Sequence, residues 1–132
     1  MAKAKKVKQL SFTMANRAGL LSEVSSALSG AKININTVCA YEMGDSAHFM
    51  LTTDGNARAR KALAKLGIES KEEDVVAVEM PNKIGELEKV AKKIADAGIN
   101  IVYVYGTTGT GKSSVCLLQT SDNAKAIRVI NK

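Results

Sequence analysis

The residues with the clearest chemical potential form a glycine-rich run, Gly106–Ser113, with the sequence GTTGTGKS. The run satisfies G-x-x-x-x-G-K-[ST], a spacing that cradles nucleotide phosphates when a strand precedes it and a helix begins at the lysine. Here Lys112 is followed by SSVCLLQT, an apolar run that predicts a strand instead. No upstream run ends in the aspartate that such sites also use. We therefore predict a hairpin loop at this run, and nucleotide binding through it is the alternative function.

The other reactive side chains are scattered along the chain. Cys39 and Cys116 lie in apolar runs without metal-ligand spacing, which favours two buried thiols in a reducing compartment. His48 is the single histidine, so a histidine cluster or a serine–histidine pair has little to build on. We therefore predict no catalytic residue, no metal site and no cofactor.

A polar loop occurs twice, as MANRAGLL at 14–21 and as MPNKIGEL at 80–87. Asparagine offers both a donor and an acceptor, and glycine lets another group approach the backbone closely. A helix that follows such a loop points free N–H groups and its positive dipole end into it, which favours a carboxylate. Two interpretations remain open: Asn16 and Asn82 cap their helices, or the loops bind a ligand.

A second asparagine also recurs, in ININ at 33–36 and INIV at 99–102. Asparagine is depleted in strands, yet Asn34 and Asn100 stand at the same place in two strand-like runs. Such an amide suits hydrogen bonding across an interface, and a simply solvated strand end is the other interpretation.

The elements that position these residues come from a repeat. A shift of 66 residues lays 12–39 over 78–105 with ten of 28 positions identical. In each copy, alternating apolar residues predict a strand, helical spacing follows, and two further strand-like runs precede a second helix. We expect two domains, 1–70 and 71–132. The closing strand of the second copy is expected to be missing, or to lie beyond Lys132.

Together, N-R/K-x-G-x-L, an amphipathic helix and A-G/K-I-N-I resemble the ACT domain family in both copies. The resemblance implies an α+β fold of two tandem ferredoxin-like βαββαβ units, each an antiparallel sheet with its helices on one face. It also implies a regulatory, non-catalytic protein that binds a small amino acid where the first loop of one domain meets the second strand of another. Many members carry proline where this chain has Ala18 and Ile84. In addition, Glu86 replaces apolar Leu20 in the second copy and would oppose a ligand carboxylate, so the first loop is the better site.

The residues that the resemblance assigns to ligand binding fall into two loops and two strand openings. They are Asn16, Arg17, Ala18, Gly19, Leu20, Asn34 and Ile35 from the first copy, and Asn82, Lys83, Ile84, Gly85, Asn100 and Ile101 from the second.

Composition narrows the classes of partner. The net charge is +6, and four lysines within residues 3–8 account for +4 of it, so they are expected to be a solubilising terminus ahead of the first strand. Aromatic residues make up 4% of the chain, too few for base stacking on a sheet, so no nucleic acid is expected. The chain shows no signal peptide and no membrane span, which predicts a cytoplasmic protein. Its expected macromolecular partner is a second copy or a regulated enzyme.

Overall fold

The computed structural model describes residues 1–106 and 111–132, which form six strands and four helices. In chain order the elements are β1 (Lys3–Ala15), α1 (Leu20–Gly30), β2 (Ile35–Met43), β3 (Ser46–Thr53), α2 (Asn56–Ala64), β4 (Lys71–Pro81), α3 (Glu86–Asp96), β5 (Ile101–Gly106), β6 (Ser113–Thr120) and α4 (Asn123–Asn131). The order strand, helix, strand, strand, helix therefore occurs twice, and the predicted fold class is confirmed. None of the helices described is both long and apolar enough to cross a membrane.

The chain forms two compact units, which we call the first unit (residues 8–73) and the second unit (residues 1–7 with 74–132). Each unit holds one copy of the repeat, but the first seven residues belong with the second copy. The expected boundary between residues 70 and 71 stays a prediction. Residues 68–70 are not a strand, and β4 begins at Lys71.

The prediction of a lysine-rich tail ahead of the first strand is wrong, because β1 begins at Lys3. Ala4 is buried in the core of the second unit. Its N–H donates to the Asn131 side chain at 2.7 Å, and its carbonyl accepts from the same amide group at 2.9 Å. Small alanines between lysines give a weak apolar signal, so the sequence pattern does not predict this amino-terminal part of β1.

In the first unit β3 lies between β2 and β1, and both pairings are antiparallel. One face of this sheet carries α1 and α2 over a core in which the Phe12 and Phe49 rings stack at 5.0 Å. The buried residues of this core are Leu10, Phe12, Leu20, Val24, Leu28, Ile33, Ala47, Phe49, Leu51, Ala59, Ala62, Leu63 and Ile68.

The second unit repeats this arrangement, with β6 between β4 and β5 and again antiparallel pairing. Its main core consists of Ala4, Val76, Val78, Met80, Val90, Ile94, Ile99, Cys116, Leu118, Ala126 and Ile130. On the other face of the sheet, Val75, Ala77 and Leu117 form a smaller cluster with Tyr103 and Tyr105 packed against it.

The turns into α2 and α4 show that the duplication extends to hydrogen bonds. Thr53 donates its hydroxyl to the Asn56 side chain at 2.6 Å, and Thr120 donates to Asn123 at 2.7 Å. The Asn56 amide reaches the Lys8 carbonyl, and the Asn123 amide reaches the Asp74 carbonyl, each at 3.2 Å. The same polar contacts therefore fix both helix starts to the first strand of their copy.

Candidate functional site

The glycine of each repeated loop stands immediately before a helix in a left-handed conformation. Gly19 has φ 92° and precedes α1, and Gly85 has φ 84° and precedes α3. A side chain at Cβ disfavours this region, which explains why both copies carry glycine at this position. The loop thus turns directly into the helix, and the first-turn N–H groups face the loop.

We expect Gly19→Ala to lower the free energy of unfolding by about 1–2 kcal/mol, because L-residues are strained at this positive φ. Gly30→Ala is the matched control. Gly30 lies at the end of α1 without a positive φ, and a Cβ there would meet nothing within 4 Å. Urea unfolding of both variants measures the difference in their free energies of unfolding. An equal loss in the two variants would show that the positive φ at residue 19 does not require glycine.

The asparagines do not cap the helices, so the capping interpretation is wrong. Gly19 and Gly85 occupy the N-cap positions, and neither helix receives a side-chain cap hydrogen bond. Instead, Asn16 donates its side-chain amide to the Glu42 carboxylate and its N–H to the Asp45 carbonyl, the latter at 2.8 Å. The asparagine therefore ties its loop to the hairpin between β2 and β3.

The second copy makes the same connection. The Asn82 side chain donates to the Gly111 carbonyl at 3.1 Å, and its N–H donates to the Lys112 carbonyl at 2.9 Å. Because the two asparagine side chains bond to the hairpins instead, no side chain caps the N–H groups at the start of either helix. That arrangement can accept an anionic group.

Arg17, the cation of the first loop, pairs with Glu23 of α1 through both guanidinium nitrogens, one of them at 2.9 Å. Both side chains are largely exposed, at 58% and 40%. The hydrogen bond and charge of Arg17 hold the pKa of Glu23 below its ordinary value, and Glu23 correspondingly raises the pKa of Arg17. Arg17 is therefore engaged beside the loop rather than aimed freely into it.

In Arg17→Ala we expect the pKa of Glu23 to rise toward its ordinary value, because its hydrogen-bond donor is lost. The Glu23 carboxyl resonance, followed by NMR from neutral to acidic pH, reports this shift. Since the folded-state pKa is depressed, any stability from the pair is present at neutral pH and is lost as the pH falls through that pKa. An unchanged Glu23 titration would show that the pair does not persist in solution.

Asn34 and Asn100 immediately precede β2 and β5 rather than lying inside them. The Asn34 N–H donates to the Asp54 carboxylate at 3.0 Å, and the Asn100 N–H donates to the Ser121 hydroxyl at 3.0 Å. The carbonyls of both asparagines accept N–H groups from the same two partners. Their backbones thus hold the strand openings, and both asparagines are exposed to solvent.

The side chains of these asparagines differ in their engagement. The Asn34 amide donates to the Asn36 side chain at 2.9 Å. No hydrogen bond to the Asn100 side chain is found within residues 1–106 and 111–132. Asn100 is therefore the strand-opening residue whose amide is available to a ligand.

A pocket of about 330 Å³ lies at the second loop. It is lined by Asn82 and Lys83, which the sequence predicts, and by Met80, Glu86, Gly106 and Cys116, which it does not. Burial raises the pKa of the Cys116 thiol, so this wall of the pocket stays neutral. The exchange of Leu20 for Glu86 between the copies is the signal that could have identified Glu86.

The glycine-rich run lies partly outside the described residues, which exclude 107–110. Ser113–Thr120 is a strand, β6, as predicted, so no helix begins at Lys112. The geometry that a phosphate-binding loop requires is therefore missing after the lysine.

Two copies of a five-element α/β unit, each with a loop that opens onto helix amides without a capping side chain, define a duplicated α/β fold. A family model for an ACT domain pair matches residues 5–132. The chain belongs to the ACT domain pair family, and the resemblance predicted from its motifs is confirmed.

Solved structures give the same fold. Protein BT0572 from Bacteroides thetaiotaomicron is 29% identical with a TM-score of 0.87, over 96% of this chain and 87% of that chain. The ligand-free regulatory subunit of aspartate kinase from Thermus thermophilus is 14% identical with a TM-score of 0.66, over 96% and 93%. The corresponding subunit from Thermus flavus is 17% identical with a TM-score of 0.63, over 97% and 94%. No curated protein matches the sequence.

Proposed function

We propose that this protein is a non-catalytic regulatory module that binds a small amino acid at its loop–helix junctions. The observation that carries the proposal is the junction itself, with a left-handed glycine at the N-cap and no capping side chain, in both copies. A carboxylate is the acceptor that these amides and the helix dipole favour. Membership of the ACT domain pair family supports amino acids as the ligand class.

The ammonium group of an amino acid needs acceptors as well. The exposed Asn100 side chain and its counterpart Asn34 supply amide oxygens at the strand openings. The sequence-based expectation that the Asn16 loop and Asn100 serve one ligand stays a prediction. Of the two loops, the first has apolar Leu20 at the helix position that Glu86 takes in the second, and the acid in its first turn, Glu23, is paired with Arg17.

A regulatory role requires a partner that responds when this protein binds its ligand. Exposed apolar residues lie at equivalent places in both copies: Val38 and Val104 on the strands, at 47% and 51%, and Leu21 and Leu87 on the helices, at 56% and 57%. Clustered apolar exposure beside a strand typically marks a contact surface. We propose that these residues contact a second copy or the regulated enzyme. The aspartate kinase subunits that share this fold are named as regulatory, which is consistent with such a role.

A thermal-shift screen against the twenty amino acids tests the proposal. A ligand that binds only the folded state stabilises it by about 2.7 kcal/mol at a hundred times its Kd, so a specific hit should raise the melting temperature clearly. ATP serves as the comparison ligand and should give no shift. Absence of a shift with every amino acid would overturn the proposal, and a shift with ATP that Lys112→Ala removes would favour nucleotide binding.

A further inference from the structure

Near the pocket at the second loop, three paired strand positions carry smaller residues in the second copy than in the first. In the first unit Phe49 pairs with Phe12 on β1 and with Ala40 on β2. In the second unit Cys116 takes the place of Phe49, and pairs with Val78 and Gly106. Equivalent register positions therefore hold two phenylalanines and an alanine in one copy, but valine, cysteine and glycine in the other.

Of these residues, Gly106 and Cys116 line the pocket. A Cβ on Gly106 would lie 3.4 Å from the Val115 carbonyl oxygen and 3.5 Å from the Cys116 Cβ, which are ordinary van der Waals distances. In the first copy the Phe12 and Phe49 rings stack at the corresponding positions. The two copies therefore carry different side-chain volumes at equivalent positions of the sheet.

The residue at the helix start has changed in the same place. Leu20 is 4% exposed and belongs to the first core cluster. Its counterpart Glu86 lines the pocket, and its side chain is only 14% exposed. A carboxylate so far removed from water is costly unless a positive group accompanies it.

The positive groups near Glu86 neutralise its carboxylate only in part. The Lys89 ammonium lies 3.4 Å from the Glu86 carboxylate, one turn along the same helix, and the Lys89 side chain is 69% exposed. Lys89 lines a neighbouring groove that Glu86 also borders. Because Lys89 is largely exposed, this i,i+3 pair contributes little. Lys83 also lines the pocket, and no partner for its side chain is found within the described residues. The lining of the pocket thus contains one largely buried acid, Glu86, and one exposed cation, Lys83.

We propose that this pocket binds a small molecule through a positively charged amine that pairs with Glu86. The inference deepens the proposed function, on which it partly rests, because it assigns the ligand's ammonium to Glu86 at the second loop. Lys83 and the α3 amides then face any carboxylate that the same ligand carries. The pocket volume of about 330 Å³ limits the ligand to a small molecule.

Calorimetry on the full chain tests this assignment with three probe sets: the twenty amino acids, the amines that lack their carboxylates, and the acids that lack their amines. For each amine-bearing probe that binds, Glu86→Gln should raise the Kd at least tenfold, because it removes the charge and keeps the shape. Cys116→Phe, which restores the residue type of the first copy, should abolish binding by filling the pocket. Glu88→Gln is the control, since Glu88 is an exposed acid on the same helix outside the pocket, and it should leave the Kd unchanged.

The outcomes separate this inference from the proposed function. If Asn16→Ala abolishes amino-acid binding while Glu86→Gln and Cys116→Phe leave it intact, the inference is wrong and the proposed function stands. If amines bind in a Glu86-dependent way but amino acids do not, the inference stands and the proposed function fails. Binding of the deaminated acids with undiminished affinity, or no binding in any set, overturns the inference. Because Glu86→Gln preserves volume, it decides the matter even where Cys116→Phe disturbs folding.

Discussion

Leu28→Ala is expected to lower the free energy of unfolding by about 2–5 kcal/mol. Leu28 is fully buried in the first core, where alanine would leave a cavity and remove most of the side chain's contacts. Leu21→Ala is the matched control, because the same residue type in the same helix is 56% exposed. It should change the free energy of unfolding by about 0.5 kcal/mol or less.

Equilibrium urea unfolding of the two variants measures this contrast. A loss of 2–5 kcal/mol is large against the roughly 5–15 kcal/mol that stabilises most domains, so Leu28→Ala should show a visibly earlier transition. The second copy offers an independent repeat of the experiment, with buried Ile94 and exposed Leu87 at the equivalent positions of α3. Equal losses for the buried and exposed members of either pair would contradict the assigned helix faces.

The periodicity of the sequence predicts most of the fold because its two apolar patterns are strong. Alternation around Phe12 and helical spacing from Val24 to Leu28 both lead to buried positions. The amino-terminal part of β1 is missed, since its burial depends on Ala4 meeting α4, a contact that no local pattern encodes.

The candidate site is predicted only in part for a similar reason. The loops are recognisable because glycine is required at a left-handed N-cap, and the repeat displays that requirement twice. The role of Asn16 is harder to predict from the sequence, because its partner Glu42 is 26 residues away along the chain. The pocket at the second loop depends on the register that places Gly106 beside Cys116, and composition does not fix a register.

Asn100→Ala should weaken binding of the amino acid identified by the thermal-shift screen by about tenfold or more. Losing a hydrogen bond to a charged ligand group costs about 1.5–3 kcal/mol, and each 1.4 kcal/mol is tenfold in Kd. The variant should leave stability nearly unchanged, since the Asn100 side chain is exposed and its backbone makes the structural contacts with Ser121. A loss of affinity without a loss of stability is therefore the result that indicates direct ligand contact.

Asn16→Ala should weaken binding by a similar factor through a different cause. Its side chain holds the loop to Glu42, so alanine frees the loop and disorders the amides that receive the carboxylate. Lys112→Ala is the control, because the strand that follows Lys112 excludes a phosphate-binding role. The Kd of this variant for the amino acid should equal that of the unaltered chain. Calorimetry on the three variants separates the cases. If all three bind with equal affinity, the ligand contacts neither the Asn16 loop nor the Asn100 strand opening, and the assignment of the site to these residues fails.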